Sequence, residues 1–373
     1  MEMRRSDNHY IPILKGRLGE LNAISKVAAD VSGDYTPLIE FVASTDEILD
    51  ENGEPSRISV EKSVMRSIGR LEKYWPKAND VMVDLHGLPT FEGYSPIVTV
   101  IEQFGAESVI PVCRPSDLKD ETGMLRRLRS TLSTYDRKNI CIRLADEDLE
   151  ERDEPISSYI DNLLDTLIAE PENIDLIVDF GPVDAESSGF KARIARLVIS
   201  ELPHINRWKS VTLAAGGFPA TLDSVPPQSL DRLPRSEVKM WQTVRMRLSG
   251  NGRVPAFGDY AIAYPRQLAG VGFAPAPQIR YTTPESWLIL KGRKADRRSN
   301  AQFFDICGEI VSNPDFTPGL SWGDEQIRDK SRYAHVSPIP PSASPGNAMM
   351  WRAIGTSHHI GLVIDRLTKL GEP

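Results

Sequence analysis

Asp84 and His86 stand two residues apart at the end of an apolar run, Val81-Met82-Val83, with Gly87 directly after them. Residues i and i+2 of a strand share a face, so an acid and an imidazole at this spacing can share one metal ion or orient one proton transfer. A loop histidine satisfied by a hydrogen bond explains the same pair without chemistry. Six further ionisable residues close or lie within short apolar runs in the same manner: Lys15, Glu40, Arg114, Arg143, Asp179 and Asp259. If the ends of those runs meet, they form a ring of mixed charge. Lys15, Arg114 and Arg143 would then neutralise an anionic ligand, a phosphate, carboxylate or nucleotide. Glu40, Asp84 and Asp179 would act as general bases, with His86 beside them, or hold Mg²⁺ or Mn²⁺ through oxygen. The rival account is an ion-pair network that holds the mouth of a fold together and does nothing else.

A ring of this kind needs strands that all end on one face. Strands are expected at Tyr10 to Lys15, Thr36 to Val42, Val81 to Gly87, Ser108 to Arg114, Asn139 to Leu144, Ile174 to Phe180, Ser210 to Ala215 and Ala256 to Ala263. Most are short apolar runs without a polar alternate, as parallel strands covered on both faces are. Between them lie helical patterns at Leu18 to Ala29, Ser59 to Trp75, Pro96 to Phe104, Thr122 to Tyr135, Ile156 to Ala169, Phe190 to Leu202 and Ser236 to Leu248. Val60, Val64, Ile68, Leu71 and Trp75 keep helical spacing, and Pro76 ends that helix. The polar stretch Asp50 to Pro55 and the acidic stretch Asp146 to Glu154 are expected to be loops. Eight such βα repeats predict an α/β fold, a (β/α)8 TIM-like barrel whose site lies at the C-terminal ends of the strands. A doubly wound open sheet uses the same alternation. It is disfavoured by the repeat count and by the absence of GxGxxG after the first strand, where Lys15-Gly16-Arg17-Leu18-Gly19 offers only a loose pair of glycines.

After residue 264 the pattern changes. Pro265 to Pro277 predicts a long loop, Ile279 to Lys291 a hairpin-like strand segment, Phe303 to Val311 a short helix, Asn313 to Pro345 a loop-rich stretch and Ala348 to Leu370 a final helix. The division expected is a barrel-like domain over 1–264 and an extension over 265–373 that packs on it and covers one of its mouths.

The formal charge of −8 argues against a surface that grips nucleic acid or anionic lipid as a whole. An anionic small molecule or nucleotide, or a protein partner, is the better expectation. The one concentrated basic run, Lys291-Gly292-Arg293-Lys294-Ala295-Asp296-Arg297-Arg298, keeps a local nucleic-acid contact open, although such a run is more often a solvated loop. Cys113, Cys141 and Cys307 show neither a disulfide framework nor a CxxC zinc spacing, which fits a reducing cytoplasm. The N-terminus lacks a secretory apolar region, and no run approaches the roughly 18 apolar residues of a membrane span. Cytoplasmic location without membrane contact is the expectation. His358 and His359 are adjacent on a helix and point about 100° apart, so they do not ligate one ion together, though one could reach a barrel mouth as part of a lid.

Four phrases carry a family likeness: Tyr10-Ile11-Pro12-Ile13-Leu14-Lys15-Gly16-Arg17-Leu18-Gly19-Glu20, Pro37-Leu38-Ile39-Glu40, Phe257-Gly258-Asp259-Tyr260, and Ile279-Arg280-Tyr281-Thr282 leading to Trp287. Together they resemble the beta-protein family of phage and bacterial genomes. The resemblance implies a cytoplasmic bacterial or phage protein, tied to the conflict between phage and host. It raises Lys15, Glu40, Asp259, Arg280 and Tyr281 as ligand-binding candidates because they lie inside the matching phrases. Two functions follow as expectations: a barrel that binds or processes an anionic ligand at its mouth, or a non-catalytic recognition module that binds a protein or nucleic acid through that mouth and the extension.

Overall fold

A strand buried on both faces needs apolar residues at every position, because alternate side chains meet a barrel interior and a helix layer. The computed structural model describes residues 4–30, 34–42, 47–49, 55–57, 59–88, 95–120, 123–135, 139–150, 153–248, 252–267 and 276–373. Its elements are, in order, β1 (Tyr10–Leu14), α1 (Leu18–Asp30), β2 (Leu38–Glu40), β3 (Glu47–Leu49), β4 (Pro55–Arg57), α2 (Val60–Tyr74), β5 (Val81–Asp84) and α3 (Pro96–Phe104). Then come β6 (Val109–Cys113), α4 (Met124–Leu132), β7 (Ile140–Leu144), α5 (Asp146–Glu150), α6 (Ile156–Leu167), β8 (Ile174–Pro182), α7 (Ser188–Glu201) and β9 (Ser210–Gly216). The chain continues with β10 (Ser229–Pro234), α8 (Ser236–Leu248), β11 (Ala256–Asp259), β12 (Gln278–Thr282), β13 (Ser286–Lys291), α9 (Gln302–Val311), α10 (Trp322–Ser331) and α11 (Ala348–Leu370).

The predicted barrel is present. β1, β2, β5, β6, β7, β8, β9 and β11 form a closed barrel, and every pairing between them is parallel. The circle closes where Tyr10 faces Phe257 and Ile13 faces Leu38. Ile11, Ile13, Leu38, Met82, Ile110, Val112, Cys141 and Ile177 fill the interior. The alternate residues Tyr10, Leu14, Ile39, Val81, Val83, Ile140 and Ile142 face outward into the helix layer. Each strand thereby buries both faces, which is why the runs read as continuous.

The part after residue 264 departs from the expected simple extension. α11 packs along α1 and against β1, and Ile360, Val363, Ile364 and Leu367 join the same core as the barrel helices. It occupies the eighth helix position, so the ring of helices is completed across the 264/265 division. Gly19 makes the approach possible, since a Cβ there would lie 2.7 Å from the Met349 carbonyl oxygen. The hairpin-like segment Ile279 to Lys291 is the pair β12 and β13, joined by β10 in an antiparallel sheet of order β10-β13-β12. One face of this sheet, with Ile279, Tyr281, Leu288 and Leu290, packs on α9, α10 and α11 in a second core.

Two local expectations are corrected, and β10 is an element for which the sequence held no expectation. Asn313 to Pro345 holds α10, whose Ser321 hydroxyl caps the Asp324 N–H at 3.3 Å. Asp146 to Glu154 opens with α5, three acids standing in its first turn where the helix dipole favours them. β10 was hidden because its alternating exposure leaves no apolar run. Most of Asp50 to Pro55, and of the loop over Pro265 to Pro277, lies outside the described residues. Among the described residues, no helix is long and apolar enough to cross a membrane.

Candidate functional site

Parallel strands place their last residues on one face, and here that face gathers Lys15, Glu40, Asp84, Arg114, Arg143 and Asp179 at a cleft of about 330 Å³. Arg143, on β7, is the centre. Its Nη1 donates to Glu40 Oε1 at 2.9 Å and to Asp84 Oδ2 at 2.6 Å, while Nη2 donates to Asp179 Oδ2 at 2.6 Å and to the Tyr260 hydroxyl at 2.7 Å. The Tyr260 hydroxyl in turn donates to Asp179 Oδ2 at 2.5 Å. Burial opposes the charge on Arg143, but Tyr260, Asp179, Glu40 and Asp84 outweigh it and hold the guanidinium charged.

The Asp84–His86 pair is real but differs from a two-residue strand motif. β5 ends at Asp84, and His86 sits in the loop beyond it. His86 Nδ1 lies 2.7 Å from Asp84 Oδ1, and Nε2 lies 2.9 Å from Asp117 Oδ1. Burial pushes the imidazolium down, yet the two carboxylates prevail and raise its pKa to about 9. His86 is therefore a cation between two acids at neutral pH, not a base. Asp84 is pushed up by burial and pulled much further down by Arg114, His86 and Arg143, so it stays ionised.

Asp117 had no place among the sequence candidates. It lies in the short turn after β6 and accepts the Arg114 N–H at 2.7 Å. The spacing Arg114-Pro115-x-Asp117, a strand end followed by a helical first turn, was the available signal. Tyr260 and Arg266 were also missed. Arg266 pairs with Asp146 at 2.7 Å at the rim of the cleft.

The groups left for a ligand are fewer than the ring suggested. Arg114 gives Nη2 to Asp84 at 2.8 Å, while its Nε–H is buried with no acceptor among the described residues. Lys15 donates from Nζ to the Pro265 carbonyl at 2.7 Å and has no carboxylate within ion-pair distance among the described residues. Burial lowers its pKa, against the opposing pull of Glu40. Burial raises the Glu40 carboxyl, helped by Asp84 and resisted by Arg143 and Lys15.

The expected divalent-metal set does not fit. Glu40, Asp84 and Asp179 do converge, but on the Arg143 guanidinium, which stands where the ion would be and cannot be discharged by losing a proton. Among the described residues, no group of three or more His, Cys, Asp or Glu is arranged to hold a metal ion.

Asp259, Arg280 and Tyr281 do not line this cleft. Asp259 is buried between barrel and extension, accepting from the Tyr10 hydroxyl at 2.7 Å and lying 2.8 Å from His359 Nε2. Tyr281 is fully buried, donates to Asp324 at 2.9 Å and stacks on His358. Arg280 donates to the Ile262 carbonyl at 2.7 Å on another side of the extension. The two histidines do point apart, and neither reaches the mouth: His358 meets Asp324 and the Thr282 carbonyl. The basic run is dispersed as well. Lys291 Nζ donates to the carbonyls of Leu222 and Val225, and Arg298 pairs with Asp305. Cys113 and Cys141 are buried small hydrophobes whose thiols burial pushes upward, away from the reactive thiolate.

Among solved structures the chain is similar to triosephosphate isomerase from Bartonella henselae, at 14% identity over 67% of this chain and 92% of that one, with a TM-score of 0.31. It is also similar to fructose-bisphosphate aldolase from Campylobacter jejuni, at 12% identity over 98% and 91% of the two chains, with a TM-score of 0.36. Likenesses this distant carry nothing about chemistry, and the barrel assignment stands on the strand order itself. No curated protein matches the chain. Its sequence matches the family model described as Beta protein over residues 10–365, nearly the whole length, and the chain belongs to that family.

Proposed function

We propose that the barrel mouth binds a small anionic metabolite through a phosphate or carboxylate, with Arg114 and Lys15 as the groups that meet its charge. The observation that carries this reading is the Arg114 Nε–H, buried without an acceptor among the described residues in a guanidinium that lines the cleft beside Lys15. A buried donor left unmade costs on the order of 1–3 kcal/mol, and an oxyanion placed there recovers it. Arg143, Asp84, Asp179 and His86 are positioning residues: they neutralise one another and fix the angle at which Arg114 and Glu40 are presented. Glu40 and Lys15, with pKa values moved towards each other, are the two groups suited to exchange a proton with a bound molecule. An acid–base step on the held anion is the reaction class this arrangement supports. The cleft volume is at the lower end of ligand pockets, which favours a compact metabolite over a large one.

The test is a thermal-shift screen with inorganic phosphate and a panel of phosphorylated and carboxylated metabolites. A ligand at about 100 times its Kd stabilises by roughly 2.7 kcal/mol. Its effect should vanish in Arg114→Gln and weaken in Lys15→Met, while Glu40→Gln should still bind but lose turnover. If no compound shifts the melting temperature, or a shift survives in both Arg114→Gln and Lys15→Met, the reading fails.

A further inference from the structure

A second cavity, of about 300 Å³, lies at the open edge of β12 where the first turn of α11 meets it. β12 is the outer strand of its sheet. Its residues Gln278 and Arg280 share a face by strand alternation, and both line the cavity. Gly355 brings α11 close against this edge, since a Cβ there would lie 3.0 Å from the Arg280 carbonyl oxygen. The lining also includes Phe303 and Trp351, whose rings stack at 4.5 Å. Asn347 and Ala348, at the N-terminus of α11, complete it.

The charges around the cavity do not balance. Arg280 spends one N–H on the Ile262 carbonyl and lies 4.5 Å over the Phe218 ring, so most of its five donors have no protein acceptor among the described residues. Among the described residues no carboxylate is within ion-pair distance of it, and the stretch Leu268 to Pro275 contains no acid. Burial, and after it the charged neighbours Arg352 and Arg17, push its pKa down to about 9. Arg352 reaches Glu20 only at 3.4 Å, and the other oxygen of Glu20 already accepts the N–H groups of Lys15 and Arg17. Two guanidinium groups thus line one small cavity, and among the described residues Glu20, beside Arg352, is the one acid within ion-pair distance of either. A partly desolvated cation short of counter-charge is costly unless an anion joins it. The N-terminus of a long helix adds positive potential at the same place.

We propose that this cavity is a second ligand site, distinct from the barrel mouth, for an oxyanion carried on an apolar or aromatic body. Arg280 and Arg352 grip the carboxylate or phosphate, and the Phe303–Trp351 wall packs the body. Its direct probe is anilinonaphthalene sulfonate, which joins an oxyanion to an aromatic body and reports through its own emission and through quenching of tryptophan. The neutral phenylnaphthylamine serves as the body without the charge. One dye should bind per chain, with affinity falling by about tenfold or more in Arg280→Gln and in Arg352→Gln and unchanged in Arg114→Gln at the mouth. The neutral compound should bind more weakly and ignore all three changes. Should Arg280→Gln fail to fold, Arg352→Gln decides, because Arg352 has only the one weak pairing to lose. Equal binding of both compounds, retention of dye affinity in Arg352→Gln, or loss confined to Arg114→Gln would overturn the proposal.

Discussion

Arg143 Nη1 lies 2.6 Å from Asp84 Oδ2 although their strands do not pair with each other, since β6 runs between β7 and β5. The same guanidinium reaches Glu40 on β2 and Asp179 on β8. One side chain thus ties together four strands across the mouth. A fork with fixed geometry can do this where an ammonium cannot.

Replacing Arg143 by Met should therefore leave buried carboxylates without their cation. The expected loss is about 3–5 kcal/mol of unfolding free energy, the range for breaking a buried charge pair from one side. Arg143→Lys should recover only part of it. Urea denaturation of the three proteins measures the difference, and a loss of less than about 1 kcal/mol in Arg143→Met would remove the keystone role.

The alkaline limb of stability should belong to His86. Its folded pKa, raised to about 9, lies above the ordinary histidine value. The stabilisation is therefore complete below about 6.5 and is lost as pH rises through about 9. Urea midpoints measured from pH 7 to pH 9.5 should fall in the parent protein more steeply than in His86→Gln. Parallel curves would show that the imidazolium contributes nothing.

The acidic limb should carry a contribution from His359. Burial lowers its pKa, against the pull of Asp259, so the native state resists the proton that the unfolded chain accepts. Stability from this group is present above the ordinary value of about 6.5 and is lost as pH falls through the lowered one. His359→Gln, which can still donate towards Asp259, should be less sensitive to pH between about 6.5 and 5.

Two glycines should respond in opposite directions. A Cβ at Gly323 would lie 2.4 Å from the Ile354 carbonyl oxygen, where α10 crosses α11. Gly323→Ala should cost about 1–3 kcal/mol through overpacking. Gly69, exposed in the middle of α2, has nothing within 4 Å of the same position. Gly69→Ala should gain roughly 0.5–1 kcal/mol from the unfolded chain and helix propensity. Thermal melts of both variants test the pair, and a stabilised Gly323→Ala would contradict the close helix crossing.

The barrel was legible because its cause is local. Runs such as Ile140 to Leu144 must be covered on both faces, and a run that ends in Asp84 or Arg143 announces where a polar face begins. α10 was legible in principle, through the Ser321-x-x-Asp324 cap, but the surrounding Pro and Gly masked it. β10 was not legible, because its partner β13 lies more than fifty residues away and its own pattern alternates like a solvated segment.

From sequence alone came the alternation of barrel strands and helices, the closed parallel barrel and most of the charged residues brought to its mouth, all of which depend on periodicities of two and of about 3.6. Which charges cancel was a tertiary matter. Arg143 takes up three acids, His86 is held charged by Asp84 and by Asp117 from the next loop, and Arg114 keeps one donor without a partner among the described residues. Asp259 and Tyr281, equal to the others as letters in a chain, are buried as supports. The physical reason is that a side chain's ionisation and reach depend on neighbours within a few ångströms, and those neighbours arrive from strands and loops up to 250 residues apart.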